Sequence, residues 1–315
     1  MNRKSFRKLC HMLIGMERRN THYRKAIVLE KRVAIALYAL GSSAEYRTMA
    51  NMFGVGKSTV GRILIEFCHE VWKFLWPLYL KNFPMTEVKL REFINGFQSL
   101  GFPQVLGAID GCHIEVHPAR EDAIDYHNYK GWYSTVLLAL VDARCRFIYI
   151  NVGSPGRCND SAIFESSHLK NEFLQCSLYK DMSKQISGVN FPVVLLGDSA
   201  FKLDEHLMKP FPFNIDQSLQ QKKINFALSK CRRVVENAFG HLKARFRRVG
   251  KGLDNQMVNT TSIIKASVFC TISLMRKMMK SMKDGFPHSK LKNKVDIGQK
   301  VLPTIMEILI REHRK

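Results

Sequence analysis

The chain has 315 residues, of which 46% are hydrophobic, and this length accommodates about two domains with sizeable cores. No apolar run approaches the roughly 18 residues of a membrane-spanning helix, and the first residues lack the apolar segment of a signal peptide. The eight cysteines are scattered and include no CxxC pair. They predict reduced thiols in an intracellular protein rather than disulfides or a zinc site. The formal net charge is +22, with +10 over residues 1–100, −3 over 101–200 and +15 over 201–315.

This charge predicts a polyanionic partner. DNA or another nucleic acid is the leading candidate, because no strongly basic helix carries the interfacial Trp or Phe that would favour an anionic membrane surface. A generally basic protein without such a partner is the alternative. The acidic middle of the chain between two basic flanks indicates that charge is divided between different parts of the molecule.

Residues 1–85 are predicted to form an all-α domain. An apolar stripe at helical spacing begins at Phe6, so close to Met1 that the sequence leaves open whether residues precede it. A second helix runs through Val33 and Leu40 and stops at Gly41.

A helix-turn-helix is predicted at about residues 46–68. Ala50, Gly54 and Val60 supply a small residue at the helix crossing, a turn glycine four positions later and an apolar residue ten positions later. On this interpretation Tyr46–Phe53 is the supporting helix. The residues predicted to face DNA at the start of the recognition helix are Lys57, Ser58, Thr59 and Arg62. A structural helical hairpin is the alternative, since this spacing also occurs in proteins that do not bind DNA.

The pattern then changes from helices to strands. Residues 86–104 are predicted to be a connector with a helix at 87–97, and 105–250 an α/β domain with a mixed sheet flanked by helices. Its predicted elements are a strand from 105, an antiparallel hairpin at 134–142 and 145–153, an amphipathic helix from 161 to about 173, a strand at 191–201 and a helix at 228–249. Residues 251–315 are predicted to be a basic helical extension, with helices at 260–282 and 301–310.

Four carboxylates stand at ends or faces of these predicted elements. Asp110 interrupts an apolar strand, where a buried carboxylate costs several kcal/mol unless a cation compensates it. Asp160 precedes a helix, Asp198 ends an apolar strand, and Glu236 lies on the basic helix. Oxygen ligands of this kind suit Mg²⁺ or Mn²⁺. Two such ions can carry out an in-line displacement at a phosphodiester.

Each acid also has a structural interpretation. Asp110 is then a salt-bridged or turn aspartate, Asp160 the N-cap of the following helix, and Asp198 a turn residue. Glu236 is then paired with Arg232 one helical turn earlier. The sequence alone does not decide between these interpretations and a metal site.

The predicted helix at 228–249 carries basic residues around its acid. Arg232, Glu236, Lys243 and Arg247 are predicted to share one face. Basic side chains beside a metal-binding acid would hold a phosphate backbone at the site of reaction. A solvated charged face is the alternative.

Around these residues the sequence resembles the PIF/Harbinger transposases and the nucleases derived from them. The matching stretches are GAIDGCHI around Asp110, SPGRCNDSAIF around Asp160, LLGDSAF around Asp198, VVENAFGHLKARFRRV around Glu236, and HNYKGWYS at 127–134. The likeness spans roughly residues 100–249. Cys112 stands where the family usually has threonine, and Ala200–Phe201 where it usually has Gly-Tyr.

The resemblance implies an RNase H-like fold with a DDE site. Asp110, Asp198 and Glu236 would be the catalytic triad, with Asp160 as a further metal ligand. It also implies nuclear localisation, cleavage or strand transfer of DNA with Mg²⁺ or Mn²⁺, and a separate Myb-like DNA-binding protein or a second copy of the chain as partner. The alternative is a domesticated, catalytically silent DNA-binding or adaptor protein.

Overall fold

The computed structural model describes residues 3–79, 86–186 and 189–283. The α-helices are α1 Arg3–Met12, α2 Leu29–Gly41, α3 Tyr46–Phe53, α4 Lys57–Tyr79, α5 Glu87–Leu100, α6 Ala123–Tyr126, α7 Asp160–Glu165, α8 His168–Gln175, α9 Ser177–Asp181, α10 Leu219–Arg245, α11 Arg247–Lys251 and α12 Met257–Lys283. The strands are β1 Val105–Glu115, β2 Ser134–Val141, β3 Phe147–Pro155, β4 Lys184–Ile186, β5 Val189–Phe191, β6 Val194–Leu196 and β7 Leu207–Met208. The helix predicted at 301–310 lies outside the described residues.

A five-stranded mixed sheet lies at the centre of the fold. Its strand order is β3-β2-β1-β6-β7, with β1, β2 and β3 antiparallel and with β6 and β7 parallel to β1. This sheet is consistent with the RNase H-like fold. The predicted hairpin is confirmed, whereas the strand predicted at 191–201 is divided between β5 and the short β6, and β7 was not predicted.

Helices cover both faces of the sheet. Successive side chains of a strand point to opposite faces, so Ala108 of β1 belongs to the core beneath α10, and Ile109 belongs to the core beneath α5, α7 and α8. Every residue of β2 is buried, as expected for a strand with helices on both sides. The sheet therefore holds β1 rigidly at the middle of the molecule.

The core beneath α10 continues into the N-terminal helices. It includes buried residues of α2, α3 and α4 together with residues of α11 and α12, and α12 packs along α4. Arg248 of α11 is 8% exposed and donates hydrogen bonds to the backbone oxygens of Ala39 (2.7 Å) and Ala44 (2.8 Å), while its guanidinium stacks on the ring of Tyr46. The domain boundaries predicted at residues 85, 104 and 250 stay predictions, and one core crosses all three.

The helices α3 and α4 lie where the helix-turn-helix spacing places them. Gly54 ends α3 with a φ of +58°, a left-handed conformation that favours glycine, and Ala50 and Val60 are buried. The side chains predicted to face DNA lie on the first turns of α4, where Lys57, Ser58 and Arg62 are exposed and Thr59 is half-buried.

Two predicted helices have different bounds in the structure. The amphipathic helix from 161 is two helices, because Ser167 donates to the backbone oxygen of Phe164 and caps α8. The helix predicted at 228–249 begins earlier, where Ser218 and Gln221 form a capping box, and it ends at Arg245 before the non-helical Phe246.

We predict that Arg248→Met lowers the free energy of unfolding by about 2–4 kcal/mol, because the buried carbonyl oxygen of Ala39 and the partly buried one of Ala44 lose their donor. Urea unfolding of the variant would measure this change. Arg247→Met removes the same charge from the exposed neighbouring position and is the control, with an expected change below about 0.5 kcal/mol. Equal losses for the two variants would contradict the role of Arg248.

Candidate active site

Asp110 lies in the middle of β1, on the face of the sheet covered by α10. Its side chain is 16% exposed, and its Oδ2 is 3.1 Å from Nη2 of Arg232 on α10. The backbone N–H of Gly111 donates to Oδ1 at 3.0 Å. The structural interpretation is therefore correct in that Asp110 forms a salt bridge. The neighbouring carboxylates show that this ion pair is part of a larger arrangement.

Asp198 follows β6, the strand next to β1. The parallel register pairs Ala108 with Leu196, so two residues further along each strand Asp198 comes level with Asp110. Asp198 also acts as a turn residue, because its Oδ1 accepts a hydrogen bond from the backbone N–H of Ala200 at 2.9 Å. The sheet thus brings together two acids that are far apart in the sequence.

Asp160 approaches β1 from the opposite face. It is the first residue of α7, and the N-cap is Asn159, whose Oδ1 accepts from the N–H of Ala162 at 2.7 Å. The interpretation of Asp160 as the N-cap is therefore wrong. Its carboxylate fills the space where Gly111 would carry a side chain, and a Cβ there would overlap Oδ1 of Asp160. That buried oxygen has no hydrogen-bond partner of good geometry.

The electrostatics of Asp110 and Asp160 reflect this convergence. Burial raises the pKa of Asp110 to about 6, and the charges of Asp198 and Asp160 raise it as well, against the opposing effects of Arg232 and the Gly111 N–H. Burial, followed by the charge of Asp198, raises the pKa of Asp160 to about 6, while the Gly111 N–H opposes this shift. At neutral pH both groups are charged at an energetic cost that a bound cation would relieve.

Glu236 lies on the same face of α10 as Arg232 and Lys243. Both basic residues contact β1, Arg232 through Asp110 and Lys243 through a 3.1 Å hydrogen bond to the backbone oxygen of His113. Glu236 is exposed between them and, within the described part of the chain, forms no ion pair. Its predicted pairing with Arg232 is wrong, because Arg232 pairs with Asp110.

Arg247 does not share this face. The chain leaves the helical conformation at Phe246, where φ is −110° and ψ is 80°, and Arg247 begins the separate helix α11. The prediction of a common face therefore holds for Arg232, Glu236 and Lys243 and is wrong for Arg247. Arg247 is exposed, so a contact with DNA elsewhere on the surface stays a prediction.

The carboxylates fit a hard divalent cation. Their donor set consists of oxygen atoms, two of the acids have a raised pKa, and Oδ1 of Asp160 is buried without a partner. Within residues 3–79, 86–186 and 189–283, no three acidic, histidine or cysteine side chains form a ready-made metal cage. Because Arg232 is bound to Asp110, a cation there would require its guanidinium to turn away.

The sequence did not predict the roles of two residues that contact the acids. Gly111 makes room for Asp160, and Arg232 neutralises Asp110 rather than Glu236. A glycine directly after an acid inside an apolar strand was the available signal for Gly111. No sequence signal identified the partner of Arg232, because that contact joins residues 122 positions apart.

Comparison with known proteins identifies the family. Residues 109–276, slightly more than half of the chain, match the model of the DDE superfamily endonucleases, and this segment contains all four acids. The chain belongs to this family.

Two curated proteins are similar to most of this chain. The human protein named "Putative nuclease HARBI1" is 26% identical over 230 residues, which are 73% of this chain and 61% of the relative. The Arabidopsis thaliana protein named "Protein ALP1-like" is 29% identical over 242 residues, 70% of this chain and 53% of the relative. The resemblance to nucleases derived from Harbinger transposases is confirmed. The chain spans about half to three fifths of these relatives, and no solved structure matches it.

We predict that Gly111→Ala lowers the free energy of unfolding by about 1–3 kcal/mol, because the added methyl group collides with the Asp160 carboxylate. Gly240→Ala is the matched control. No atom would lie within 4 Å of its Cβ, so inside α10 it should stabilise the protein by about 0.5–1 kcal/mol. Denaturant unfolding measures both variants, and a neutral Gly111→Ala would contradict the described position of Asp160.

We predict that Asp160→Asn raises the metal-free stability at pH 7.5 by about 1–2 kcal/mol. The pKa of Asp160 is about 6 in the folded protein, above its ordinary value of 3.8, so the folded state of the wild type loses stability as the pH rises from 4 through 6. Below pH 4 the gain should vanish, since the acid is then protonated in both states. Unfolding midpoints across this pH range test the prediction. An equal gain for the exposed Asp216→Asn would contradict it.

Proposed function

We propose that the protein is a metal-dependent DNA endonuclease of the transposase type, which hydrolyses or transfers phosphodiester bonds. One observation carries this proposal: Asp110, Asp160 and Asp198 converge from separate elements at the centre of the sheet, and two of them have a pKa raised to about 6. A scaffold has no need for such a costly cluster. The membership in an endonuclease family supports the same conclusion.

The residues of the site would divide the chemistry among them. Asp110 and Asp198 would hold divalent ions between two strands, Asp160 would complete the ligands from the opposite face, and Glu236 would close the site from α10. The Mg²⁺ or Mn²⁺ ions, when bound, supply activation of a water or a 3′-hydroxyl and stabilisation of the leaving oxygen by a two-metal mechanism.

Arg232 and Lys243 would then position the DNA. Both lie on the face of α10 that contacts β1, and Glu236 lies between them along the helix. Once Asp110 is neutralised by a cation, the guanidinium of Arg232 is free to bind a phosphate oxygen, for which its planar donor fork is well suited. Such basic residues make binding dependent on salt as well as on the shape of the site.

The helices α3 and α4 would bind DNA away from the acids. Lys57, Ser58, Thr59 and Arg62 lie on the first turns of α4, and exposed Arg247 would add a phosphate contact. We further propose nuclear localisation and cooperation with a Myb-like DNA-binding protein or a second copy of the chain. The described residues contain no helix long and apolar enough to cross a membrane.

We predict that the purified protein cleaves DNA ends or supercoiled plasmid with Mg²⁺ or Mn²⁺, and that Asp110→Asn lowers the rate by at least about a hundredfold. The affinity for DNA should not fall by more than about twofold, because the change removes a metal ligand, keeps every basic side chain and releases Arg232 from its ion pair. Gel analysis of the products and fluorescence anisotropy measure the two quantities. Asp216→Asn, at an exposed carboxylate distant in sequence from the four acids, serves as the control.

The opposite outcome would favour an adaptor. If the protein never cleaves with either metal, even with a Myb-like partner, and yet binds DNA through Lys57 and Arg62 with a steep dependence on salt, the nuclease proposal fails. The catalytic sheet would then serve as a scaffold alone.

A further inference from the structure

An aromatic surface lies where β1 meets the loop that leads to β2, and it consists of half-buried His113 of β1 with exposed Tyr129 and half-buried Trp132 of the loop. The ring centroid of His113 lies 5.7 Å from that of Tyr129 and 6.0 Å from that of Trp132, both in edge-to-face geometry. Tyr129 is 81% exposed, and Nζ of Lys130 lies 5.4 Å from the centroid of its ring. An aromatic ring that exposed gains little from burial, so packing does not explain its position.

This aromatic surface begins beside the acidic cluster. His113 lies two residues after Gly111, and the uninterrupted register of β1 and β2 places both on the same face of the sheet. Two residues of a strand span about 7 Å. Since the carboxylate of Asp160 fills the space at Gly111, a base next to a phosphate bound beside the acids would reach the ring of His113.

Hydrogen bonds hold the aromatic surface in place. Nδ1 of His113 lies 2.8 Å from Oγ of Ser134, which also accepts from Nδ2 of the buried Asn128 at 2.9 Å. The Oδ1 of Asn128 in turn accepts from the backbone N–H of Lys130 at 2.9 Å. The exposed ring of Tyr129 therefore lies beside preorganised neighbours, which reduces the entropy lost on binding.

The same loop is fixed to the segment that leads to Asp160. Arg157 forms a 2.9 Å ion pair with Asp125, and its backbone N–H donates to the backbone oxygen of Asp125 at 3.1 Å. The aromatic surface and the acid thus occupy fixed positions relative to each other.

The chemistry of the aromatic surface fits a base with a free face. Aromatic side chains bind bases by stacking, and this requires a base that is not enclosed in a duplex. Lys130 and Lys243 on either side supply positive charge for the adjoining phosphates. Burial, Lys130 and Lys243 lower the pKa of His113, so its ring is neutral at physiological pH and adds no charge of its own.

We propose that Tyr129, His113 and Trp132 stack an unpaired base of the DNA strand next to the phosphate that Lys130 and Lys243 bind beside the acids. The inference rests on the proposed function and deepens it, because it makes DNA with an unpaired or displaced nucleotide the preferred substrate. A blunt duplex offers no such base without the cost of opening a pair.

Binding to two DNA probes tests the proposal. The probes share one sequence, one as a blunt duplex and one with a single-stranded overhang containing 2-aminopurine, and both are measured by anisotropy in EDTA. We expect the wild type to bind the overhang at least about fivefold more tightly and to quench its 2-aminopurine fluorescence. Tyr129→Ala should abolish both effects and leave the affinity for the blunt duplex unchanged.

Two controls define the role of the ring. Tyr129→Phe keeps the stacking face and should retain the preference. Tyr23→Ala removes a tyrosine of the N-terminal region that is 95% exposed, and it should have no effect. An unchanged melting temperature of Tyr129→Ala shows that the fold is intact. Equal affinity of the wild type for both probes, or an unchanged preference in Tyr129→Ala, would overturn the proposal. Because the binding is measured without metal, a failure to cleave DNA would not affect this result. Normal cleavage without the preference for the overhang would overturn this proposal and leave the proposed nuclease function standing.

Discussion

Repulsion among partly buried carboxylates is the constraint on which the rest of the structure depends. Burial and the negative charge of Asp198 raise the pKa of both Asp110 and Asp160, and Arg232 supplies the nearest opposing charge to Asp110. Such an arrangement persists only where the surrounding packing enforces it. The fully buried β2 on one side of β1 and the parallel β6 on the other provide that enforcement.

Small residues allow the acids to come this close. Gly111 leaves its side-chain volume to Asp160, and Gly197, just before Asp198, lets the ring of Phe201 fold back against the main chain. Asn159 takes over the capping of α7, which leaves the carboxylate of Asp160 available for other contacts. Each adjustment is local, and together they let the acids approach one another at an otherwise ordinary mixed sheet.

The sequence predicts much of this architecture because its signals are local. The spacing around Gly54 and the apolar runs on either side of Ala143 depend on neighbouring residues, and the structure has the helices α3 and α4 and the β2–β3 hairpin where they were expected. The pairing of Arg232 with Asp110 depends on contacts between distant segments and could not be read from spacing. The breaks at Ser167 and Phe246 escaped prediction because the apolar stripe continues across them, while capping and backbone conformation decide where the helices end.

The buried guanidinium of Arg248 has a consequence for the distance between the proposed DNA-binding helix α4 and the acids. It joins the end of α2 and the start of α3 to α11, which follows α10, and α12 packs along α4 in the same core. A DNA duplex bound by α4, as proposed, would therefore meet the acids at a fixed distance from its contacts with α4. The spacing between the recognised sequence and the severed bond would be a property of side-chain packing, adjustable by changing one helix contact rather than by lengthening a linker.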